Sequence, residues 1–290
     1  MGRYLFILPA AVFMLSFFIY PVIYNLILSV QDVGIGTLVS GNAPFIGLAN
    51  YRAVLQMAVF HEAARNTAIF TVVSLVCQFT IGLGLALFFN RAFPLSRLIR
   101  ALILLPWLLP FVVTGTAYRW LFNDPGGFVN YLLGDVLHVI SPHTAWLAET
   151  QLALPVVIIA NIWIGIPFNM VLLYGGLQSM PPDVYEAAAI DGAGWWTSFW
   201  RITLPLMRPV IAIVLVLGLI GTIKVFGLIY LMTGGGPANA TQTFLTLSYQ
   251  LSFTNFQFGQ GAAAGTVVAI IALIGALVYL ALLRREQSWT

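Results

Sequence analysis

The 290 residues are 60% hydrophobic and 7% charged, with a net charge of +3, far below the roughly 25% charged residues of a soluble domain. Water is therefore not the main solvent, and without a basic patch the sequence excludes a nucleic-acid partner. Six stretches reach the about 20 apolar residues needed to cross a hydrocarbon core, which makes the chain an all-α membrane protein of six transmembrane helices, a single domain over residues 1–290.

The first stretch, Tyr4–Leu28, follows Met1-Gly2-Arg3. It is too long for a signal-peptide core and no small-x-small site closes it, so it is expected to remain as the first helix. The external segment 31–65 contains Phe45-Ile46-Gly47-Leu48-Ala49-Asn50-Tyr51 and an apolar run to Phe60. Its length suits docking of an outside partner, although a plain connection is the other reading. The second span, Thr67–Phe89, carries Gly82, Gly84 and Ala86 as a small-residue face for close packing. Cys77 lies in the same span and is the only cysteine, so no intramolecular disulfide can form. After the turn Asn90–Pro94, the third span, Leu102–Phe122, holds Pro106 and Pro110; beyond external segment 123–151, the fourth, Leu152–Leu177, holds Pro155 and Pro167. Each proline removes a backbone donor, so kinks are expected in both. Segment 178–209 follows, then the fifth span Val210–Met232, external segment 233–260 opening with Thr233-Gly-Gly-Gly-Pro237, and the sixth span Ala262–Leu283.

Arginines near the span ends set the orientation. With the N-terminus inside, Arg3, Arg91, Arg97, Arg100, Arg201, Arg208, Arg284 and Arg285 face the cytoplasm, while Arg52, Arg65 and Arg119 lie outside. Both termini and segment 178–209 are then cytoplasmic.

Several chemistries are missing. Asp32, Glu62, Asp124, Asp135, Glu149, Asp183, Glu186, Asp191 and Glu286 all fall outside the six spans, and His61, His138 and His143 fall in external loops. Proton-coupled carriers need intramembrane acids or histidines, so that class is disfavoured, as is an enzyme built on paired carboxylates. Sodium coupling through backbone carbonyls, by a carrier or channel acting alone, stays open as the alternative. A P-loop needs Gly-Lys-Ser/Thr, and the only lysine, Lys224, lies between Ile223 and Val225. One cysteine and three scattered histidines give no metal-ligand spacing. No catalytic residue is expected, and energy for active transport must come from a partner.

Within segment 178–209, Pro181-Pro182-Asp183 reads as a helix start, with Asp183 as the cap and Glu186 completing a capping box. Ala187, Ala188 and Ala189 favour helix, and Asp191-Gly192-Ala193-Gly194 supplies a turn in which glycine takes positive φ. A second short helix from Trp195 to Ile202 is expected to end before Leu204-Pro205. The segment fits the pattern Glu-Ala-Ala, three residues, Gly, nine residues, Ile-x-Leu-Pro at Glu186, Ala187, Ala188, Gly192, Ile202, Leu204 and Pro205. Singly, each residue is explained by helix propensity. In register, they resemble the coupling loop of permease subunits of binding-protein-dependent ABC importers. The resemblance extends to Phe45–Tyr51, to Asn161-Ile-Trp-Ile-Gly165-Ile-Pro167-Phe168, and to Lys224-Val-Phe226-Gly-Leu-Ile-Tyr230 before Thr233. It covers nearly the whole chain and is closest to the carbohydrate-uptake branch, which includes the larger permease of the maltose transporter.

That resemblance implies a permease bundle in a prokaryotic inner membrane, assembled as a heterodimer with a second permease subunit, two ATPase subunits and an extracytoplasmic solute-binding protein. It implies that Glu186, Ala187, Ala188, Asp191, Gly192, Leu204 and Pro205 couple the chain to the ATPase. No cofactor is expected in this chain, ATP and magnesium being bound by the partner. The implied function is alternating access for a sugar or related polyol, a di- or oligosaccharide by preference.

Asn161, Gly165 and Phe168 fall at i, i+4 and i+7, on one helix face. A polar amide, a gap and a ring suit the hydroxyls and C–H faces of a sugar, while Asn161 is equally suited to bonding a neighbouring helix. Gly218, Gly221, Thr222 and Val225 form a comparable face in the fifth span. At a membrane centre Lys224 would cost about 2.5–3.5 kcal/mol, so it reads as functional. It lies two residues from Thr222, about 200° around a helix. Pairing with the second permease, contact with an anionic substrate group and access to a wet cavity are its three open roles. Many relatives carry Asp where this chain has Gly227, so no local ion partner is in sight.

Overall fold

A computed structural model describes residues 7–91 and 93–287, without the side chains of residues 38, 276 and 278–287. Arg3, the start of the first expected span at Tyr4, and Ala92 lie outside the described residues, as do the side chains of Arg284, Arg285 and Glu286.

The apolar runs become helices. In chain order these are α1 (Leu8–Ser29), α2 (Ile35–Ser40), α3 (Ala49–Gln56), α4 (Ala58–Phe89), α5 (Ser96–Leu108), α6 (Phe111–Leu121), α7 (Ala153–Gln178), α8 (Pro182–Ile190), α9 (Trp195–Ile223), α10 (Gly227–Thr233), α11 (Phe244–Tyr249) and α12 (Phe258–Gln287). Among the described residues the only extended pairing is an isolated bridge between Gln31 and Phe45. Among the described residues five helices are long and apolar enough to cross a membrane, and the number is six if the bent pair α5–α6 counts as one span. The all-α membrane architecture is the one composition demands.

Local departures from the expected spans have physical causes. Helix α4 begins at Ala58, so His61, Glu62 and Arg65 lie on a helix and not in a loop. The third span is broken outright, with α5 and α6 meeting at 94°. Leu109 is extended there (φ −75°, ψ 135°), because the ring of Pro110 disfavours α geometry at the preceding residue. Pro155, by contrast, occupies the first turn of α7, where its N–H would have had no intrahelical acceptor. Nor is the fifth span one helix: α9 ends at Ile223, residues 224–226 are unwound, and α10 restarts at Gly227. At its other end, α9 begins at Trp195, so Leu204-Pro205 lies inside a helix. Phe199–Thr203 form a wide π-turn in which the Leu204 N–H donates to the Phe199 carbonyl. Such a turn absorbs the proline that would otherwise break the helix.

The chain divides into two compact units, residues 1–65 with 242–271 and residues 66–241 with 272–290. In the first, the Phe45–Tyr51 motif is a clamp. Asn50 is buried and its Nδ2 donates to the carbonyls of Ser29 (3.0 Å) and Gln31 (2.8 Å), while the hydroxyls of Tyr51 and Ser29 bond at 2.7 Å. Asn25 Nδ2 ties α1 to Thr266 Oγ1 of α12 at 3.0 Å.

In the second unit, α7 is the central element. Its Val156, Val157, Ala160 and Ile164 pack with Phe70 of α4 and with Leu228, Ile229 and Met232 of α10. Towards its other end, Leu173 and Leu177 meet Ala86, Met207 and Val214. The small-residue face of α4 is narrower than expected. A Cβ on Gly82 would lie 2.7 Å from Asn169 Cβ and 3.1 Å from the Met170 nitrogen, whereas one on Gly84 meets nothing within 4 Å. Gly82→Val should therefore cost about 1–3 kcal/mol through overpacking against backbone, and Gly84→Val far less. Thermal unfolding of the two purified variants checks this; equal losses would contradict the packing described.

Candidate functional site

Two sites stand out in the second unit: an exposed knob between α7 and α9, and a cavity among the spans.

The knob is helix α8. Its N-cap is Pro181, in extended geometry and with no side-chain capping bond, and Pro182 and Asp183 fall in the first turn. The expected Asp183–Glu186 capping box does not form. Pro182 supplies the fixed φ of a first helical residue, and the Asp183 carboxylate instead favours the positive end of the helix dipole. The C-terminus is locked by a Schellman motif: the Gly192 N–H donates to Ala189 O (3.1 Å) and the Ala193 N–H to Ala188 O (2.9 Å). Gly192 adopts φ +76°, the left-handed conformation that costs other residues about 1–2 kcal/mol. Gly194 keeps an ordinary φ of −72°.

Bonds at the base fix the knob's direction. Tyr185 Oη and Thr203 Oγ1 bond at 3.0 Å, and Gln178 Nε2 donates to Asn90 Oδ1 at 2.6 Å. The seven residues expected to couple the chain split into two groups. Glu186, Ala187, Asp191 and Gly192 are exposed on the tip; Ala188 is buried beneath it, and Leu204 and Pro205 are half-buried within α9. The first group offers a surface and the second supports it.

The cavity, about 260 Å³, is lined by side chains from α4, α5, α6, α7 and α9. It brings together Asn161, Gly165, Phe168, Gly218 and Thr222, the expected pathway residues other than Lys224. Asn161 Nδ2 and Asn169 Oδ1 are buried with no hydrogen-bond partner. Around them, Gln78 Nε2 donates to the Asn161 main-chain carbonyl, and Asn169 Nδ2 to the Gly165 main-chain carbonyl, both at 2.9 Å. Gly165 is required by contact, because a Cβ there would collide with the Gln78 amide. Trp107 and Phe168 rings lie 5.7 Å apart on the cavity wall. One unpartnered donor, one unpartnered acceptor and aromatic walls suit an uncharged polyhydroxyl ligand.

Lys224 is not in the cavity lining. It is the exposed C-cap of α9, so reckoning its direction around a continuous helix does not apply. The unwound backbone beside Thr222 and Val225 is where a membrane protein tolerates non-helical geometry, next to a cavity. Sequence reasoning missed Gln78, Asn169, Trp107 and Phe111. Gln78 is a lone amide within the apolar second span, and Asn169 lies one turn beyond Gly165, so both were available as signals.

The chain's relatives are informative at this point. The family described as binding-protein-dependent transport system inner membrane component matches residues 78–287. The trehalose/maltose transport system permease protein MalF of Thermococcus litoralis is 36% identical over 278 residues, covering 96% of this chain and 92% of that protein. The sulfoquinovosyl glycerol transport system permease protein SmoG of Agrobacterium fabrum is 33% identical over 288 residues, covering 98% of this chain and 90% of its own length. Among solved structures, a bacterial ABC transporter involved in the import of the acidic polysaccharide alginate contains a chain that superposes with a TM-score of 0.83 at 26% identity, covering 98% of this chain and 95% of that one.

Proposed function

The chain belongs to the family of binding-protein-dependent transport system inner membrane components, and on that premise we propose that it is one of two unlike permease subunits of an ATP-driven sugar importer. The carrying observation is the exposed knob bearing Glu186 and Gly192, locked at its C-terminus by a Schellman motif and braced at its base. Two ATPase subunits bind ATP and magnesium, and one of them grips this knob on the cytoplasmic side, where both termini also lie. Closure of the ATPase pair moves the knob, and the spans pass from inward-facing to outward-facing. Energy enters as differential binding of two conformations, with no bond made or broken in this chain.

A solute-binding protein delivers the cargo from outside. Its class is a sugar or related polyol, in keeping with relatives named for trehalose/maltose and sulfoquinovosyl glycerol. At the cavity, Asn161 Nδ2 donates to a hydroxyl, Asn169 Oδ1 accepts from one, and Trp107 and Phe168 receive C–H faces. Lys224 faces outside this cavity, and pairing with the second permease is its proposed role. The reading is tested by purifying the tagged chain with its co-expressed partners. A nucleotide-hydrolysing subunit should co-purify stoichiometrically and be lost with Glu186→Arg; a chain that purifies alone and transports alone contradicts it.

A further inference from the structure

At the base of the knob lies a second surface with a different composition. Trp195, Trp196, Phe199 and Trp200 fill the first turns of α9, and the three tryptophans are 57%, 63% and 54% exposed. Their rings interlock, Trp195 stacking on Phe199 at 5.7 Å and Trp196 meeting Trp200 edge-on at 5.8 Å. Trp195 and Phe199 turn toward the knob, lining a cavity of about 350 Å³ with Leu177 and Asn90. Trp196 and Trp200 are not part of that lining and form an outer edge. Asn90 and Gln178, bonded to each other, stand at the ends of α4 and α7. Trp195 and Phe199 thus share a cavity with the ends of α4 and α7.

Charge is segregated along the same segment. Asp183, Glu186 and Asp191 are exposed on the knob, whereas Arg201 and Arg208 are exposed along the start of α9. Tryptophan is enriched where spans meet the headgroup layer, and clustered arginines there attract anionic lipid. An acidic tip is repelled by the same layer.

We propose that the Trp196–Trp200 edge, with Arg201 and Arg208, docks on anionic phospholipid headgroups of the leaflet on the knob's side. The rings seat the base at the interface, and the arginines choose the headgroup. Repulsion holds the acidic tip off the membrane, free for a protein partner. This inference requires α9 to span the bilayer and is independent of what grips the tip.

The test uses the complete transporter in lipid nanodiscs, with brominated chains carried at equal mole fraction by either phosphatidylglycerol or phosphatidylcholine. Tryptophan emission should be quenched more by the brominated phosphatidylglycerol. Trp196→Phe with Trp200→Phe should remove that difference, and Arg201→Gln with Arg208→Gln should reduce the preference about fivefold per arginine. Phenylalanine preserves ring contacts, and an unchanged thermal midpoint verifies folding. Equal quenching by the two lipids overturns the proposal. So does a preference that the tryptophan pair leaves unmoved, which would place the edge against a protein subunit.

Discussion

Gly192→Arg is expected to leave the permease folded and to abolish its response to ATP. A Cβ at Gly192 meets no heavy atom within 4 Å, so bulk is tolerated by this chain itself. The cost within the chain is conformational, because φ is +76°, and amounts to about 1–2 kcal/mol. The proposed grip by an ATPase subunit adds a second cost. A side chain forced into a packed contact costs about 1–3 kcal/mol, about fivefold to 150-fold in affinity. Gly192→Asn separates the two effects, since asparagine visits the left-handed region readily. It should keep most of the stability and lose part of the coupling. Thermal unfolding and ATP-driven uptake, measured on the same preparations, check both statements. A variant that unfolds without losing specific activity would assign Gly192 to folding alone.

Asn161→Leu should lower uptake while leaving stability unchanged or higher. Asn161 is 4% exposed and its Nδ2 has no partner. Replacing such a group with an apolar one of similar size is nearly neutral or stabilising. If the amide serves the cargo, the variant leaves a substrate hydroxyl unsatisfied at about 1–3 kcal/mol, a loss of about fivefold to 150-fold in uptake at limiting substrate. The backbone bond from Gln78 to the Asn161 carbonyl is untouched by the change, so the cavity keeps its shape. Uptake unchanged at limiting substrate would make Asn161 a packing residue.

The gross fold was legible because bilayer physics leaves few choices: apolar runs of span length became helices, and glycine at 192 took the left-handed turn that Asp191-Gly192-Ala193 suggested. Illegible features came from tertiary contact. No proline marks the unwinding at residues 224–226; it lies beside the cavity that Thr222 and Val225 line. Pro205 reads locally as a helix stop, yet the π-turn at Phe199–Thr203 carries α9 through it. Asp183 looked like a cap until Pro182 claimed the first helical position. For the cavity, one face of α7 was readable from its period, while the partners that complete it, Gln78, Trp107 and Phe111, come from three other helices. Their convergence is a property of packing, which a single helical period does not encode.

The most direct measurement of the account is solute accumulation and ATP hydrolysis recorded together in proteoliposomes holding the complete complex, with the solute-binding protein added outside. The account predicts that accumulation requires nucleotide, scales with hydrolysis, survives collapse of the sodium gradient, and is lost with Gly192→Arg. Accumulation driven by a sodium gradient in the absence of nucleotide would contradict it.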